Sequence, residues 1–200
     1  MRVVFGDTTI AVNPISKSSA LKTTRFGADI ALVSLNNKDF NGVEQVAHGG
    51  REPFVVSGPG EYEIRKVFIR GFLSVSKYEE EESINTIYTV SLEGMHLCFL
   101  GALSSRKLNA ETKEAMNSID VLFVPIGGRG VLGVSDAHEL SVELEAKIVI
   151  PMLYDGSGAP KQLKAFLDED SSKKLAPLDK LTLKKRDLDG KEGEIIVLAN

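Results

Sequence analysis

Apolar and polar positions alternate in short runs through the first half of the chain, and this pattern predicts β-strands. The runs RVVF and TTIAVNP, separated by Gly6-Asp7, indicate a hairpin at the very start. Further β-rich runs follow, each bounded by turn residues: ADIALVS, PFVVSG, KVFIRGFLSV, INTIYTVSL and MHLCFLGAL. We expect this half to be a meander built on one sheet, in which the acidic run 79–82 forms an exposed hairpin loop because like charges repel.

The second half of the chain alternates buried strands with helical segments. Helices are predicted over 109–117 and 161–168, and Ser135 is expected to cap a third helix through SDAHELSVELEA. The strands of this half are IDVLFVPIGG, KIVIPM and GEIIVLAN. Strand–helix–strand order predicts parallel pairing with helices packed on the sheet. Because no internal repeat or linker is present, we expect one domain over residues 1–200.

Composition excludes several functional classes. The chain has 200 residues, 42% hydrophobic and 26% charged, with a net charge of −4. No basic stripe is interleaved with aromatics, so a nucleic-acid partner is not expected. The single cysteine, Cys98, excludes a thiolate zinc cluster and an internal disulfide, and we expect it to be a small buried hydrophobe. No apolar run has the length of a membrane span or the character of a signal peptide, so we expect no membrane partner and a cytoplasmic location.

Residues Gly128–Gly133 carry the sharpest local motif. They fit G-x-G-x-x-G after a strand and before a helix, and Asp155 follows the next strand, where an acid that binds ribose could lie. No second mononucleotide-binding half follows. The alternative is a loop that needs glycine for its backbone angles.

The histidines do not nominate a metal or a catalytic site by their spacing. His138-Glu139 begins like H-E-x-x-H, but Val142 stands at the second histidine position, so the paired ligands of a zinc site are missing. His48 and His96 lie beside turns. No serine sits in a G-x-S-x-G elbow, so the residues alone nominate no catalyst.

Several segments resemble, in order, those of the metallo-β-lactamase-fold hydrolases, in the branch that includes ascorbate-lactonase-like proteins. TTIAVNP is similar to the family's T-I-L-I-D-P strand, and ADIALVSLNNKDFNGV to the strand and loop that carry T-H-x-H-x-D-H. SINTIYTVSLEGMHLCFLGAL, IDVLFVPIGG and AKIVIPMLYDG resemble later strands of the family. The resemblance implies an α/β fold, an αββα sandwich of two mixed β-sheets flanked by helices. It also implies one or two metal ions between strand-end loops, where the metal turns bound water into a nucleophile.

The same resemblance places mostly non-ligating residues at the family's metal positions. Leu35, Asn37 and Phe40 fall at the histidines of the loop motif, and Asp39 alone keeps its identity. Ala102 replaces the carboxylate of H-A-G-D, Leu153 the late histidine, and Asn13 the aspartate of D-P. We therefore predict no catalytic residue and no cofactor, although the family would use zinc, manganese or another divalent metal. The predicted vestigial pocket consists of Leu35, Asn36, Asn37, Asp39, Phe40, Ala102, Leu153 and Tyr154.

The sequence thus favours a non-catalytic protein with a binding or scaffold role, whose partner is an unknown small ligand or protein. A second hypothesis is a divergent hydrolase with a shifted metal site, in which Asn36, Asn37, Asp39 and Asp155 supply oxygen ligands and His48 or His138 approaches. A nucleotide-binding module on Gly128–Gly133 is the third.

The family normally has one more strand before the segment that begins here at Arg2. Either this edge strand is missing or the true start lies upstream. An open sheet edge favours pairing with another chain, so a homo-oligomer is also expected.

Overall fold

The computed structural model describes residues 1–127, 130–154, 161–170 and 175–199. The helices are α1 (Ala110–Ala115), α2 (Val134–Glu143) and α3 (Lys161–Glu169). The strands are β1 (Arg2–Phe5), β2 (Thr8–Val12), β3 (Ile30–Leu32), β4 (Phe54–Val56), β5 (Gly60–Ile64), β6 (Val67–Ser76), β7 (Ser83–Leu92), β8 (Met95–Phe99), β9 (Val121–Pro125), β10 (Ile148–Met152) and β11 (Glu194–Ile195).

The strands form two mixed sheets. A four-stranded sheet has the order β1-β2-β3-β4, and a seven-stranded sheet has the order β11-β10-β9-β8-β7-β6-β5. In the first, β1 and β2 are an antiparallel hairpin, as predicted, and β2, β3 and β4 pair in parallel. In the second, β5 to β8 are antiparallel and β8 to β11 are parallel, which confirms the parallel pairing predicted for the second half.

The prediction of a single-sheet meander in the first half is wrong. The chain leaves the four-stranded sheet after β4 and enters the other sheet at β5. The parallel partners β2, β3 and β4 are joined by the long segments 13–29 and 33–53, as parallel pairing requires. The alternating pattern identified the strands, but strands that are neighbours in sequence belong here to different sheets.

An apolar core fills the space between the sheets. Ile10 and Ile30 of the four-stranded sheet pack in one cluster with Ile69, Val90 and other residues of the seven-stranded sheet. Phe99 and Phe123 stack there, with ring centroids 4.5 Å apart. This packing and the two mixed sheets confirm the sandwich expected from the resemblance.

The two outer faces of the sandwich are covered differently. Ala137 and Leu140 of α2 and Phe166 of α3 pack on the seven-stranded sheet. On the four-stranded sheet, Ala11 and Ala31 pack against Val46, which follows a short 3-10 turn at Val43–Gln45. In the described ranges this second face is covered by irregular chain, and the small alanines permit its close approach.

The predicted cap of the second-half helix is also corrected. α2 begins at Val134, and Gly133 is its N-cap residue, with φ −68° and ψ 161°. Ser135 therefore lies in the first turn, two residues after the cap. None of the helices in the described ranges has the length and apolar character that a membrane crossing requires.

A buried carboxylate ties the strand starts together at the end of the sandwich opposite the site described below. Asp120 immediately precedes β9 and is 1% exposed. Its oxygens accept hydrogen bonds from Lys147 Nζ (2.9 Å), Lys185 Nζ (2.6 Å) and the backbone N–H of His96 (2.9 Å). Burial raises the pKa of Asp120, but these donors outweigh it and hold the pKa below its usual value.

Candidate functional site

The candidate site lies where several strands end. The loop after β3 meets the loops after β8 and β10, at carboxyl ends of strands, where α/β proteins usually bind ligands. The backbone N–H of Thr86 donates to Ser34 O at 2.8 Å, and Leu35 forms an antiparallel bridge with Asn85. The end of β3 is thus attached to β7, and the two sheets are joined at the site.

Hydrogen bonds within the protein hold the backbone of the loop after β3. Asn13 Oδ1 accepts from the backbone N–H of Ser34 at 2.9 Å. Asn37 Oδ1 accepts from the N–H of Asp39 at 2.9 Å, and the N–H of Phe40 donates to Asn37 O at 2.8 Å. These contacts hold the loop from within the chain.

A small apolar core fills the mouth of these loops. The buried side chains of Leu35, Phe40, Tyr78 and Ala102, here called the strand-end cluster, pack together, and Leu153 and Val131 pack against them. The Phe40 and Tyr78 rings meet edge to face, with centroids 5.0 Å apart and an interplanar angle of 84°. Leu153 has a φ of 54°, unusual for a leucine. The loops meet as the resemblance implies, but the space between them is packed.

Asp39 is the one residue of the predicted vestigial pocket with an acidic side chain. Asp39 is buried, with 6% of its surface exposed to solvent. Tyr78 donates its hydroxyl to Asp39 Oδ2 at 2.7 Å, and Ser19 Oγ donates to Asp39 Oδ1. These donors satisfy a carboxylate whose burial would otherwise cost several kcal/mol.

The other predicted pocket residues lie around the cluster or away from it. Asn36 is exposed, and its Oδ1 accepts from Asn41 Nδ2 at 2.8 Å. Asn37 is half-buried, and its side-chain amide lies 3.4 Å from Glu79 Oε2. Tyr154 packs instead against the core between the seven-stranded sheet and the helices, and its hydroxyl donates to Leu198 O at 3.1 Å.

The further residues considered for a shifted metal or a nucleotide do not gather at this site. His48 lies in an exposed turn, and His138 lies on α2, with its Nε2 3.8 Å from Asp170 Oδ1. Asp155, together with residues 128–129 of the glycine motif, lies outside the described residues.

Sequence reasoning missed the two hydroxyl partners of Asp39. Tyr78 precedes the acidic run, which the sequence predicts to be an exposed loop, and Ser19 lies in a polar segment. The available signal was the aromatic residue at the edge of that run, because a tyrosine at the start of a charged loop has an apolar ring to bury. Its partner is 39 positions away in the chain, which local patterns do not reveal.

A comparison with protein families identifies the superfamily of the chain. A model described as "Beta-lactamase superfamily domain" matches residues 2–153. The chain belongs to this family. The superfamily predicted from the sequence motifs is thereby confirmed.

Known relatives of this β-lactamase superfamily member are named as metal-dependent hydrolases. A UPF0173 metal-dependent hydrolase of Listeria innocua is 26% identical over 213 residues, covering 88% of this chain and 92% of that protein. A UPF0173 metal-dependent hydrolase of Bacillus licheniformis is 31% identical over 112 residues, covering 51% of this chain and 47% of that protein. The match thus spans about half the length of the Bacillus relative.

A solved structure from Thermotoga maritima has the same fold. It is described as a Zn-dependent hydrolase of the metallo-β-lactamase superfamily and aligns with a TM-score of 0.75 and 24% identity, covering 99% of this chain and 93% of that one. At this identity the likeness shows the fold alone. Family and fold together make the chain a hydrolase-like protein of the metallo-β-lactamase type.

These comparisons contradict the prediction that no cofactor is involved. The relatives are named metal-dependent, and the Thermotoga protein is described as Zn-dependent, so the comparisons point to a metal cofactor. The prediction rested only on the positions that the resemblance assigns to metal ligands, in the loop after β3 and at Asn13, Ala102 and Leu153. Substitution at known positions says nothing about donors placed elsewhere, which is why the inference failed.

The residues at the positions assigned by the resemblance nevertheless do not fit a metal. Leucine, phenylalanine and alanine side chains have no lone pair to donate, and they occupy Leu35, Phe40, Ala102 and Leu153. Within the described ranges, no group of three or more histidine, cysteine, aspartate or glutamate residues is arranged to hold a metal ion. A metal bound by this chain therefore needs donors other than these side chains.

Proposed function

We propose that this chain is a non-hydrolytic β-lactamase superfamily protein with a binding or scaffolding role. The observation that carries the proposal is the strand-end cluster, an apolar core in the place where the resemblance puts the reaction centre. Leu35, Phe40 and Ala102 are each no more than 3% exposed.

The chemistry of the fold explains why a packed mouth opposes hydrolysis. Water attack in this family requires a metal that lowers the pKa of bound water, held by converging ligands with an open position for the substrate. Here the loops meet around apolar side chains. The Asp39 carboxylate accepts hydrogen bonds from the hydroxyl groups of Tyr78 and Ser19. These buried, packed side chains stand where the resemblance puts metal ligands and substrate.

A hydrolysis panel tests the proposal. Purified protein is assayed against lactones, phosphodiesters and thioesters, with zinc, manganese or magnesium and without added metal. We expect no turnover above buffer, and the same result for Asp39→Asn. Metal-stimulated turnover that Asp39→Asn abolishes would overturn the proposal.

A metal-dependent hydrolase is the second candidate function, and the names of the relatives favour it. It requires donors other than the strand-end cluster. Metal content after dialysis against trace zinc and manganese, measured by mass spectrometry, distinguishes the candidates when read with the panel. One or two metals per chain together with turnover supports the hydrolase.

The cytoplasmic location, the small-ligand or protein partner and the homo-oligomer stay predictions. Size-exclusion chromatography with light scattering measures the oligomeric state directly.

A further inference from the structure

The hairpin of β6 and β7 continues the apolar inner face of the seven-stranded sheet towards its tip. Ile69 of β6 and Tyr88 of β7 are buried in the core between the two sheets. Residues two or four positions apart on a strand share a face, so Leu73 and Val75 lie on the face of Ile69. By the same rule, Ile84 lies on the face of Tyr88. The inner face therefore carries three more large apolar side chains near the hairpin tip.

The connection between the two sheets crosses this face at Gly71. Segment 57–59 joins β4 to β5, and a Cβ at Gly71 would lie 2.8 Å from Gly58 O and 3.1 Å from Pro59 Cα. Glycine at this position thus permits the close crossing. The three apolar side chains beyond the crossing are exposed to solvent, Leu73 at 59%, Val75 at 46% and Ile84 at 67%.

These three side chains form one surface, here called the hairpin patch. Val75 and Ile84 are cross-strand partners, and Leu73, two residues before Val75, lies diagonally from Ile84. Apolar side chains that adjoin on a surface mark interaction sites, whereas scattered ones do not. The sheet edge beside the patch is partly closed, because the backbone N–H of Ser104 donates to Val75 O at 3.2 Å. A partner therefore meets the patch through its side chains and not by adding a strand.

Negative charge borders the hairpin patch. The acidic run 79–82 lies at the tip of the same hairpin, and all four of its glutamates are exposed. Lys77, beside the run, has its Nζ 4.0 Å from Glu82 Oε2. Because opposite charges attract and like charges repel, this surroundings favours a basic partner and disfavours an anionic lipid surface.

The size and charge of the hairpin patch argue against a second copy of this chain as its occupant. A stable protein interface involves about 20–30 residues a side, and the patch offers three large apolar side chains. A symmetric contact through the patch would also bring two acidic runs close together. A short element suits it better. An amphipathic helix packs one apolar stripe on a sheet face and carries its charges on the flanks of that stripe.

We propose that the hairpin patch binds an amphipathic helix of a partner protein. The apolar stripe of the helix covers Leu73, Val75 and Ile84, and its lysine or arginine side chains face the acidic run. This inference rests on the proposed binding role and names the partner class. The surface adjoins the strand-end cluster, because Leu35 of that cluster forms a bridge with Asn85, the residue after Ile84.

The test uses synthetic peptides and the whole chain. The probe is a peptide of about 14 residues with leucines at helical spacing and lysines at the other positions. One control peptide has glutamate in place of lysine. A second has the composition of the probe, with its leucines distributed around the helix. Titration calorimetry measures the affinity, and backbone chemical-shift changes show where the peptide binds.

The apolar contact is tested with the double variant Leu73→Ser, Ile84→Ser. Val142→Ser is the matched control, because Val142 is also exposed but lies on α2. We expect the double variant to bind the probe at least about tenfold more weakly than the wild type, and the control to bind it as the wild type does. Circular dichroism checks that the variants fold, and Ile84→Ser alone, at the most exposed position of the patch, should weaken binding in the same direction.

The electrostatic contact is tested with a triple variant of the acidic run, Glu80→Gln, Glu81→Gln and Glu82→Gln. Glu79 is kept, because its carboxylate contacts the loop after β3. The matched control changes net charge equally at exposed glutamates elsewhere, Glu52→Gln, Glu63→Gln and Glu192→Gln. At low salt we expect the variant of the acidic run to bind the probe at least about threefold more weakly than the control. The difference should disappear near 1 M salt, where the Debye length is about 3 Å.

Several results would overturn the proposal. No binding of the probe is one, and equal binding of either control peptide is another. Equal binding by the double variant and the wild type would place the peptide elsewhere on the chain. Light scattering that finds a dimer of the wild type and a monomer of the double variant would identify a second copy as the occupant.

The outcome is separable from that of the hydrolysis panel. Turnover by the wild type would overturn the non-hydrolytic role and leave the peptide result unchanged. Absence of peptide binding would remove the helix site and leave the argument from the strand-end cluster untouched.

Discussion

Replacing Phe40 with alanine distinguishes a packed core from an open mouth at the strand ends. Phe40 is 1% exposed and packs with Leu35, Tyr78 and Ala102. In an open ligand site, removing such a ring would alter binding and cost little stability. In a core, it leaves a cavity that the surroundings fill only in part.

The expected loss follows from this burial. Phe→Ala substitutions in cores lower the free energy of unfolding by about 3–5 kcal/mol. This loss includes that of the edge-to-face contact with the Tyr78 ring. In a chain of 200 residues, each kcal/mol lowers Tm by roughly 2–4 °C, so the midpoint should fall by about 6–20 °C. The lower end applies if the 77–82 loop closes over the gap.

Urea unfolding followed by circular dichroism measures the free-energy change, and a thermal scan measures Tm. Phe68→Ala is the matched control, because Phe68 is 54% exposed on β6 and its loss should cost no more than about 0.5 kcal/mol. If Phe40→Ala costs less than about 1 kcal/mol, or no more than the control, the strand-end cluster is not a core and the argument for a packed site is refuted.

The remaining predictions concern other parts of the molecule. Asp120→Asn should destabilise the protein by roughly 1–3 kcal/mol at pH 7, a range lowered by the partial exposure of the two partner lysines. Because the folded-state pKa of Asp120 is lowered, this advantage of the wild type is present above the ordinary pKa of 3.8 and is lost as pH falls through the folded pKa, which unfolding curves from pH 7 to pH 2 measure. Gly42→Ala should lower the free energy of unfolding by roughly 1–3 kcal/mol or more, because the new Cβ would lie 2.2–2.4 Å from backbone atoms of Ile15 and Ser16. Gly58→Ala, whose Cβ would have no neighbouring atom within 4 Å, is the control. Equal losses in a denaturant titration would contradict the steric reasoning. Cys98 is fully buried and its pKa is raised by that burial, so a thiol reagent should react only after unfolding, and fast labelling of the native protein would show the burial to be wrong.

Local patterns revealed the strands but not their partners. The runs RVVF and TTIAVNP became the β1–β2 hairpin, and KVFIRGFLSV and INTIYTVSL became β6 and β7. Alternation reports that a strand has two unlike faces, and it carries no information on which sheet receives the strand. The division of the first half between two sheets is set by long connections, whose course depends on packing far along the chain.

The start of α2 illustrates a second limit. Ser135 is a favourable N-cap residue by type, but the helix begins at Val134, two residues earlier than that role requires. A local preference of about 1 kcal/mol is easily outweighed by the packing of a whole helix on the sheet. The residues that fill the site were equally hard to predict from local sequence. Tyr78 contacts Asp39, 39 positions away, only because of the tertiary fold.

The hydrogen bonds at the site also explain how its loops are held while apolar side chains fill the mouth. The loop after β3 is fixed by the Asn13–Ser34 and Asn37–Asp39 hydrogen bonds, which need only neutral oxygen acceptors. Asn13 supplies such an acceptor, without charge, where the resemblance implies an aspartate. Because these bonds use neither the Leu35 nor the Phe40 side chain, the loop tolerates apolar residues at those positions, provided that the space is filled. The packed strand-end cluster fills this space. The hydrogen bond from the Tyr78 hydroxyl explains how the Asp39 carboxylate is tolerated beside it.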